Sequence, residues 1–176
     1  MENSASYFIN KLKLKLHTEG GYYTQIYEDN SIIKVLDKNE DNKYKSTYTI
    51  IYYLLKENNF SSFHKIKSNE SWHYYAGNTK IKIYEIKDNG ELTIHNLGNN
   101  LEKGDNFVSV IEKNSWIAAE LYDKNNNNFA LVGCNMAPGF NYNDFELGNS
   151  KLLINKFPQY TKIIKRLTKE KQIHNL

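Results

Sequence analysis

Residues 60–78 read FSSFHKIKSNESWHYYAGN, and how this stretch divides decides the architecture of the whole 176-residue chain. FSSFHKI and ESWHYYA are rich in aromatic and β-branched residues, and KSN between them is a short polar joint. The stretch therefore reads as two neighbouring strands. In a strand, residues two apart share a face. That rule places Phe60, Ser62, His64 and Ile66 on one side of the first strand, and Glu70, Trp72 and Tyr74 on one side of the second, with Ser71, His73 and Tyr75 opposite. If both strands turn the same side inward, His64 and Glu70 meet in the interior and His73 points away. A buried carboxylate needs hydrogen bonds, a charge partner or a proton, so Glu70 marks a site rather than ordinary core.

The flanking sequence continues the pattern. GYYTQIYE, STYTIIYYLL, KIKIYEI, ELTIHNL, NFVSVIE, SWIAAELY and FALVGCN are further short strands divided by Gly, Asn and Asp, and KDNGE at 87–91 signals a hairpin. Many short strands with little helix between them predict an antiparallel sandwich or barrel. SASYFINKLKL predicts an amphipathic helix capped by Ser4, with Tyr7, Phe8 and Leu12 toward the core. Pro158 suits the first turn of a second helix that runs on through QYTKIIKRLTKEK. No linker or repeat divides the chain. We expect one domain over 1–176, with a helix at about 4–14, a barrel at about 21–136 and a C-terminal loop and helix at about 137–170.

Composition excludes several function classes. The net charge is only +3 and Arg166 is the single arginine, which argues against a nucleic-acid surface. No run approaches the roughly 20 apolar residues of a membrane span, and MENSASYFIN lacks the pattern of a secretory signal. One cysteine, Cys134, leaves no internal disulfide and suits a reducing compartment, so a cytoplasmic location is expected. Cys134 falls in an apolar strand and reads as inert core. His17, His95 and His174 read as surface or turn residues without a partner in the sequence.

The spacing of His64, Ile66, Glu70 and Gly77 resembles the first cupin motif, H-x-H-x3-E-x6-G, with isoleucine where the second histidine would stand. GDNFVSVIEKNSWIAAEL resembles an eroded second motif. Gly104 is kept, Glu112-Lys113-Asn114 replace its Pro-x-Gly turn, and Ile117 takes the place of its histidine. Across nearly the whole chain, HTEGGYYTQIY, TIIYYLL, FSSFHKIKSNESWHYYAGN, SWIAAEL and LVGCNMAPGFNYNDFEL are similar to successive blocks of the Cupin_5 family, a cupin subgroup of unknown function. The resemblance implies an all-β double-stranded β-helix, or jelly roll, with short terminal helices. It also implies a pocket in the barrel mouth and a homodimer, and we expect that dimer to pair through edge strands and the N-terminal segment.

Cupin metals are typically held by three histidines and a glutamate, and only His64 and Glu70 occupy such positions here. No cofactor is expected, and a divalent metal, if one bound, would have those two ligands alone. Metal-free acid–base chemistry is the second reading. The chain is distantly similar to the deoxysugar-nucleotide 3,5-epimerases, which place a catalytic histidine on this strand. EGGYYTQ resembles their segment near the substrate entrance, with Gln25 at a usually acidic position. His64 is the candidate base and Glu70 its orienting or proton-sharing partner. The expected ligand is a small molecule, with Tyr22, Gln25, Trp72, Tyr74 and Trp116 as candidate contacts, Trp116 at the pocket rim. Asp144, in the loop APGFNYNDFEL, is the candidate carboxylate of a segment covering the mouth. A non-catalytic ligand-binding or storage cupin is the rival reading.

Overall fold

The computed structural model describes residues 4–36 and 43–169. In chain order these form α1 (Ala5–Lys11), β1 (Lys15–Leu16), β2 (Tyr22–Glu28), β3 (Ile32–Val35), β4 (Lys43–Ser46), β5 (Thr49–Lys56), β6 (Phe60–Lys65) and β7 (Asn69–Gly77). They continue with β8 (Ile81–Ile86), β9 (Leu92–Leu97), β10 (Val108–Ile111), β11 (Trp116–Leu121), β12 (Phe129–Ala137), β13 (Glu146–Leu147), α2 (Ser150–Lys156) and α3 (Thr161–Arg166). Two antiparallel sheets face each other, one ordered β1-β2-β5-β12-β7-β10 and the other β13-β6-β11-β8-β9. This is the predicted jelly roll. A separate hairpin, β3–β4, was not among the predicted strands. Among the described residues no helix is long and apolar enough to cross a membrane.

Side chains alternate between three apolar layers, and this alternation builds the barrel. Between the sheets lie Tyr53, Trp72, Ile83, Ile111, Ile117 and Val132. On the outer face of the smaller sheet, Phe63, Tyr84 and Trp116 pack under Leu153, Phe157 and Ile164 from the C-terminal helices. On the outer face of the larger sheet, Leu54, Phe129 and Leu131 are covered by Ala5 and Leu14 of the N-terminal segment.

The helices follow their predicted signals in part. Ser4 caps α1, its Oγ accepting from the Tyr7 N–H at 3.2 Å. The helix stops earlier than predicted because Lys13 takes a positive φ of 54°. Phe8 and Leu12 pack inward as expected, but Tyr7 is exposed. At the other end Pro158 opens a 3-10 turn that leads into α3, while α2 fills a segment predicted to be loop. The predicted continuation of that helix past 169, and His174, lie outside the described residues.

One departure from simple alternation shapes the interior. Opposite β11, Ile117 pairs with His64 and Ala119 with Ser61, so Ser62 and Phe63 together face one residue. A bulge of this kind inserts an extra residue and reverses the facing of everything beyond it. Ser61, not Ser62, therefore shares the inner face with His64, while Phe60 and Phe63 both pack outward. The groups freed from the ladder find partners elsewhere. Ser62 N–H donates to the Glu19 carbonyl at 2.8 Å and Phe63 N–H to the Leu167 carbonyl at 2.8 Å, and the Phe63 carbonyl accepts from Gly148 N–H at 2.7 Å. The Ser62 hydroxyl accepts from Lys169 N–H. Arg166 holds this C-terminal segment in place, donating to Glu120 Oε1 at 2.8 Å beside the Tyr84 hydroxyl.

Phe63 is fully buried and joins the bulge to both C-terminal helices. Phe63→Ala should lower unfolding free energy by about 3–5 kcal/mol in urea titrations. Leu152→Ala, on the exposed side of α2, should stay within about 0.5 kcal/mol of the parent.

Candidate functional site

The HTEGG segment, residues 17–21, turns tightly between β1 and β2. His17 N–H donates to the Gly21 carbonyl and Gly20 N–H to the His17 carbonyl, each at 3.1 Å. Gly20 has φ 117°, and a Cβ there would lie 2.1 Å from the Phe60 carbonyl oxygen, so only glycine lets the turn press against β6. That close approach carries Glu19 into the barrel beside the bulge. Its Oε1 accepts from the Ser61 hydroxyl at 2.8 Å, and its Oε2 lies 3.2 Å from His64 Nε2. Both side chains are buried.

The hydrogen bonding of His64 fixes where its protons sit. Nδ1 lies 2.8 Å from the Ser62 carbonyl, which can only accept, so Nδ1 carries a hydrogen. Nε2 then faces Glu19 Oε2 at 3.2 Å. Phe145 stacks over the imidazole with ring centroids 5.5 Å apart. His17 lies on the other side of Glu19. Its Nδ1 accepts the Glu19 N–H at 3.3 Å, its ring meets Tyr23 edge-on, and burial pushes its pKa below the usual histidine value.

Glu70, on β7, stands apart from this pair. Its pKa is raised to about 8, first by burial and then by the Glu19 charge. The nearby Trp72 indole and Cys134 thiol pull the other way and do not outweigh burial. Glu70 Oε2 and Trp72 Nε1 are both buried without a hydrogen-bond partner. Cys134 is buried beside them, and its thiol is pushed well above the ordinary range by the same desolvation.

These groups line one cavity of about 370 Å³ between the sheets. Tyr53, Trp72, Phe140 and Phe145 give it flat walls, and the exposed Lys15, Gln25 and Tyr142 stand at its rim. The Tyr53 hydroxyl donates to the Gly20 carbonyl at 2.7 Å, which ties the wall to the turn. The segment after β12 closes one side. Phe140 N–H donates to Thr49 Oγ1 at 3.0 Å, Gly139 N–H to the Ser46 carbonyl at 2.9 Å, and Asp144 forms a buried ion pair with Lys45.

Of the residues singled out in the sequence, His64, Glu70, Trp72 and Gln25 line this cavity. Tyr22, Tyr74, Trp116 and Asp144 do not. Tyr22 packs beneath the N-terminal helix, and the Tyr74 hydroxyl donates to the Thr79 carbonyl. Trp116 is buried in the outer layer under Lys65 rather than at the rim. Asp144 is held by Lys45, and it is Phe145, not a carboxylate, that the covering segment brings to His64. Two further expectations are corrected. His17 sits in a turn, as expected, but lines the cavity there, and His95, expected to have no partner, pairs with the buried Glu85 at 2.9 Å. The partner of His64 is Glu19, not Glu70. Glu19 was missed because the carboxylate comes from a turn some forty residues away. Its only sequence signal is an acidic residue directly before two glycines.

The donor set does not fit a cupin metal centre. His64 presents one nitrogen to a carbonyl and the other to Glu19, and Ile66 and Ile117 stand at the remaining ligand positions of the motifs. Among the described residues no three His, Cys, Asp or Glu side chains converge as ligands.

The comparisons agree with this architecture. A crystal structure of a protein from Shewanella oneidensis superposes with a TM-score of 0.84 at 29% identity, covering 97% of this chain and 100% of that one. A hypothetical protein from Leishmania major superposes with a TM-score of 0.87 at 25% identity, over 96% of this chain and 100% of that one. Variants of the Bacillus subtilis oxalate decarboxylase share the fold alone, with a TM-score of 0.53 at 14% identity over 90% of this chain and 38% of theirs. A comparison with curated protein sequences returns no match. The family profile described as "Cupin superfamily (DUF985)" matches residues 6–148, and the chain belongs to that family.

Proposed function

We propose that this cupin binds a small carbonyl compound in its barrel and moves a proton at the carbon beside the carbonyl, without a metal. The observation that carries the reading is the buried Glu19–His64 pair, 3.2 Å apart, in a cavity whose other acid, Glu70, is held protonated near neutral pH. An imidazole and a protonated carboxyl supply a base and an acid in one site. The step starts from the form in which His64 Nε2 carries no proton. Nε2 takes the proton from carbon, and the electron pair of the broken C–H bond moves into the carbonyl. The carbonyl oxygen receives the Glu70 proton, giving a neutral enol, and Glu19 stabilises the imidazolium. Return of the proton to the same carbon exchanges or inverts it, and return to the neighbouring carbon isomerises the compound.

The substrate class follows from what the cavity offers. Arg166, the only arginine, is committed to Glu120 on the outer face and does not line the cavity. This favours an isomerase-like activity on a compound without nucleotide phosphates over a sugar-nucleotide epimerase. We include a homodimer in the same reading, supported by the edge strand β10, which exposes Val108 and Val110 beside Phe107. Val110→Lys should turn a dimer into a monomer in light scattering, and an unchanged mass removes β10 from the contact.

Solvent deuterium exchange into a panel of hydroxyketones, ketose sugars and keto acids tests the chemistry. His64→Ala and Glu19→Gln should each lower exchange by at least about 100-fold. Exchange should also fade as pH rises through about 8, where Glu70 loses its proton. A compound that binds in the cavity without any His64-dependent exchange would favour the storage or binding reading.

Glu70 also makes a prediction for stability. Its folded pKa, about 8, lies above the reference value of 4.5, so between those values the folded state holds a proton that the unfolded state has lost. Stability should therefore fall as pH rises across that window, by up to about 1.4 kcal/mol per pH unit, and level off above it. Glu70→Gln should flatten this slope in denaturant titrations at pH 5, 6, 7 and 8.

A further inference from the structure

Two polar atoms in the cavity remain unused by the protein. Trp72 Nε1 and Glu70 Oε2 belong to residues two apart on β7, both buried and both lining the cavity. An indole N–H is a donor only, and leaving a buried donor or acceptor unpaired is destabilising. The walls beside them, Ile66, Cys134 and Met136, offer no strong acceptor for the indole, and the Glu70 carboxyl, near enough for the indole to lower its pKa, does not complete a hydrogen bond with it.

We infer that Trp72 and Glu70 form a paired donor site for the carbonyl oxygen of an uncharged, flat ligand, the indole N–H and the carboxylic O–H both pointing to that oxygen. Charge selects against an anion here. Glu19 already acts on Glu70 from the β1–β2 turn, and the other titratable groups facing Glu70 are the Tyr53 hydroxyl from β5 and the Cys134 thiol from β12. None of them is a cation, and Lys15 stands at the exposed rim. A carboxylate entering beside Glu70 would meet that acid and Glu19 together, with no lysine or arginine beside them. A ketone carries the same acceptor without the charge. Flatness follows from the aromatic walls, where offset or edge-on contact with a ring is favoured. The inference rests on the cavity being a small-molecule site and not on proton transfer.

The experiment uses the unaltered protein labelled with ¹⁵N. Its two tryptophans give two indole N–H signals, and Trp116, outside the cavity, serves as an internal control. The Trp72 signal is assigned from its proximity to the Tyr53 ring, 5.6 Å between centroids. Acetophenone, ethylbenzene and benzoate are titrated at pH 6.5. They match closely in size and differ in having a carbonyl, neither a carbonyl nor a charge, or a negative charge. Acetophenone should bind at least tenfold more tightly than the other two and shift the Trp72 indole signal downfield, leaving that of Trp116 in place. Glu70→Leu should weaken acetophenone about tenfold, while Glu70→Gln, which keeps an N–H donor, should stay within threefold. Acetophenone binding no better than ethylbenzene or benzoate, or an unmoved Trp72 signal, overturns the assignment. A protein that passes this test yet exchanges no deuterium refutes the proton-transfer reading and leaves the donor site standing.

Discussion

The extra residue in β6 is the constraint on which the interior depends. A regular strand would put Ser62 beside His64 and turn Ser61, the present hydroxyl donor to Glu19, outward. The bulge instead sets Ser61 and His64 on one face, three residues apart, and turns the Ser62 carbonyl onto His64 Nδ1. Ser62 and Phe63, the two residues of the bulge, reach outward to Leu167, Lys169 and Gly148. The buried pair in the cavity and the C-terminal segment on the outer surface are thus tied to one irregularity of the sheet. Bulges beside functional sites commonly re-aim side chains in this way.

Much of the fold was legible because it rests on local periodicity. The strand alternation of β7, the hairpin at 87–91 and the Ser4 cap are short-range signals, and the structure contains each of them. The candidate site was legible only where one strand carries it. His64, Glu70 and Trp72 could be placed on an inner face, and His73 turned away, from spacing alone. The Glu19–His64 pair could not be foreseen, since it depends on a bulge that no residue pattern announces and on a glycine turn closing across the sheets. Trp116 failed for a related reason. Both faces of the smaller sheet are covered, so a buried tryptophan there has two interiors to choose from.

The chemistry of the barrel also reads as a change of charge bookkeeping relative to a metal-binding cupin. A divalent ion would offset carboxylates directly. Here one carboxylate faces an imidazole at 3.2 Å, and the other is held neutral by desolvation with some help from its neighbour. Two different physical means of quieting an acid therefore lie inside one cavity. Mutating either acid will be felt at the other, because Glu19 acts on Glu70 through space.

The covering segment has a kinetic meaning that its packing alone does not convey. Asp144 and Lys45 are both almost fully buried, and moving residues 140–145 away from the barrel pulls these charges apart before water can reach them. Breaking a buried pair costs far more than loosening an exposed one. The segment therefore acts as a latch rather than a hinge. For a ligand that entered the barrel on that side, how often this pair breaks would bear on its residence time as much as the walls that touch it.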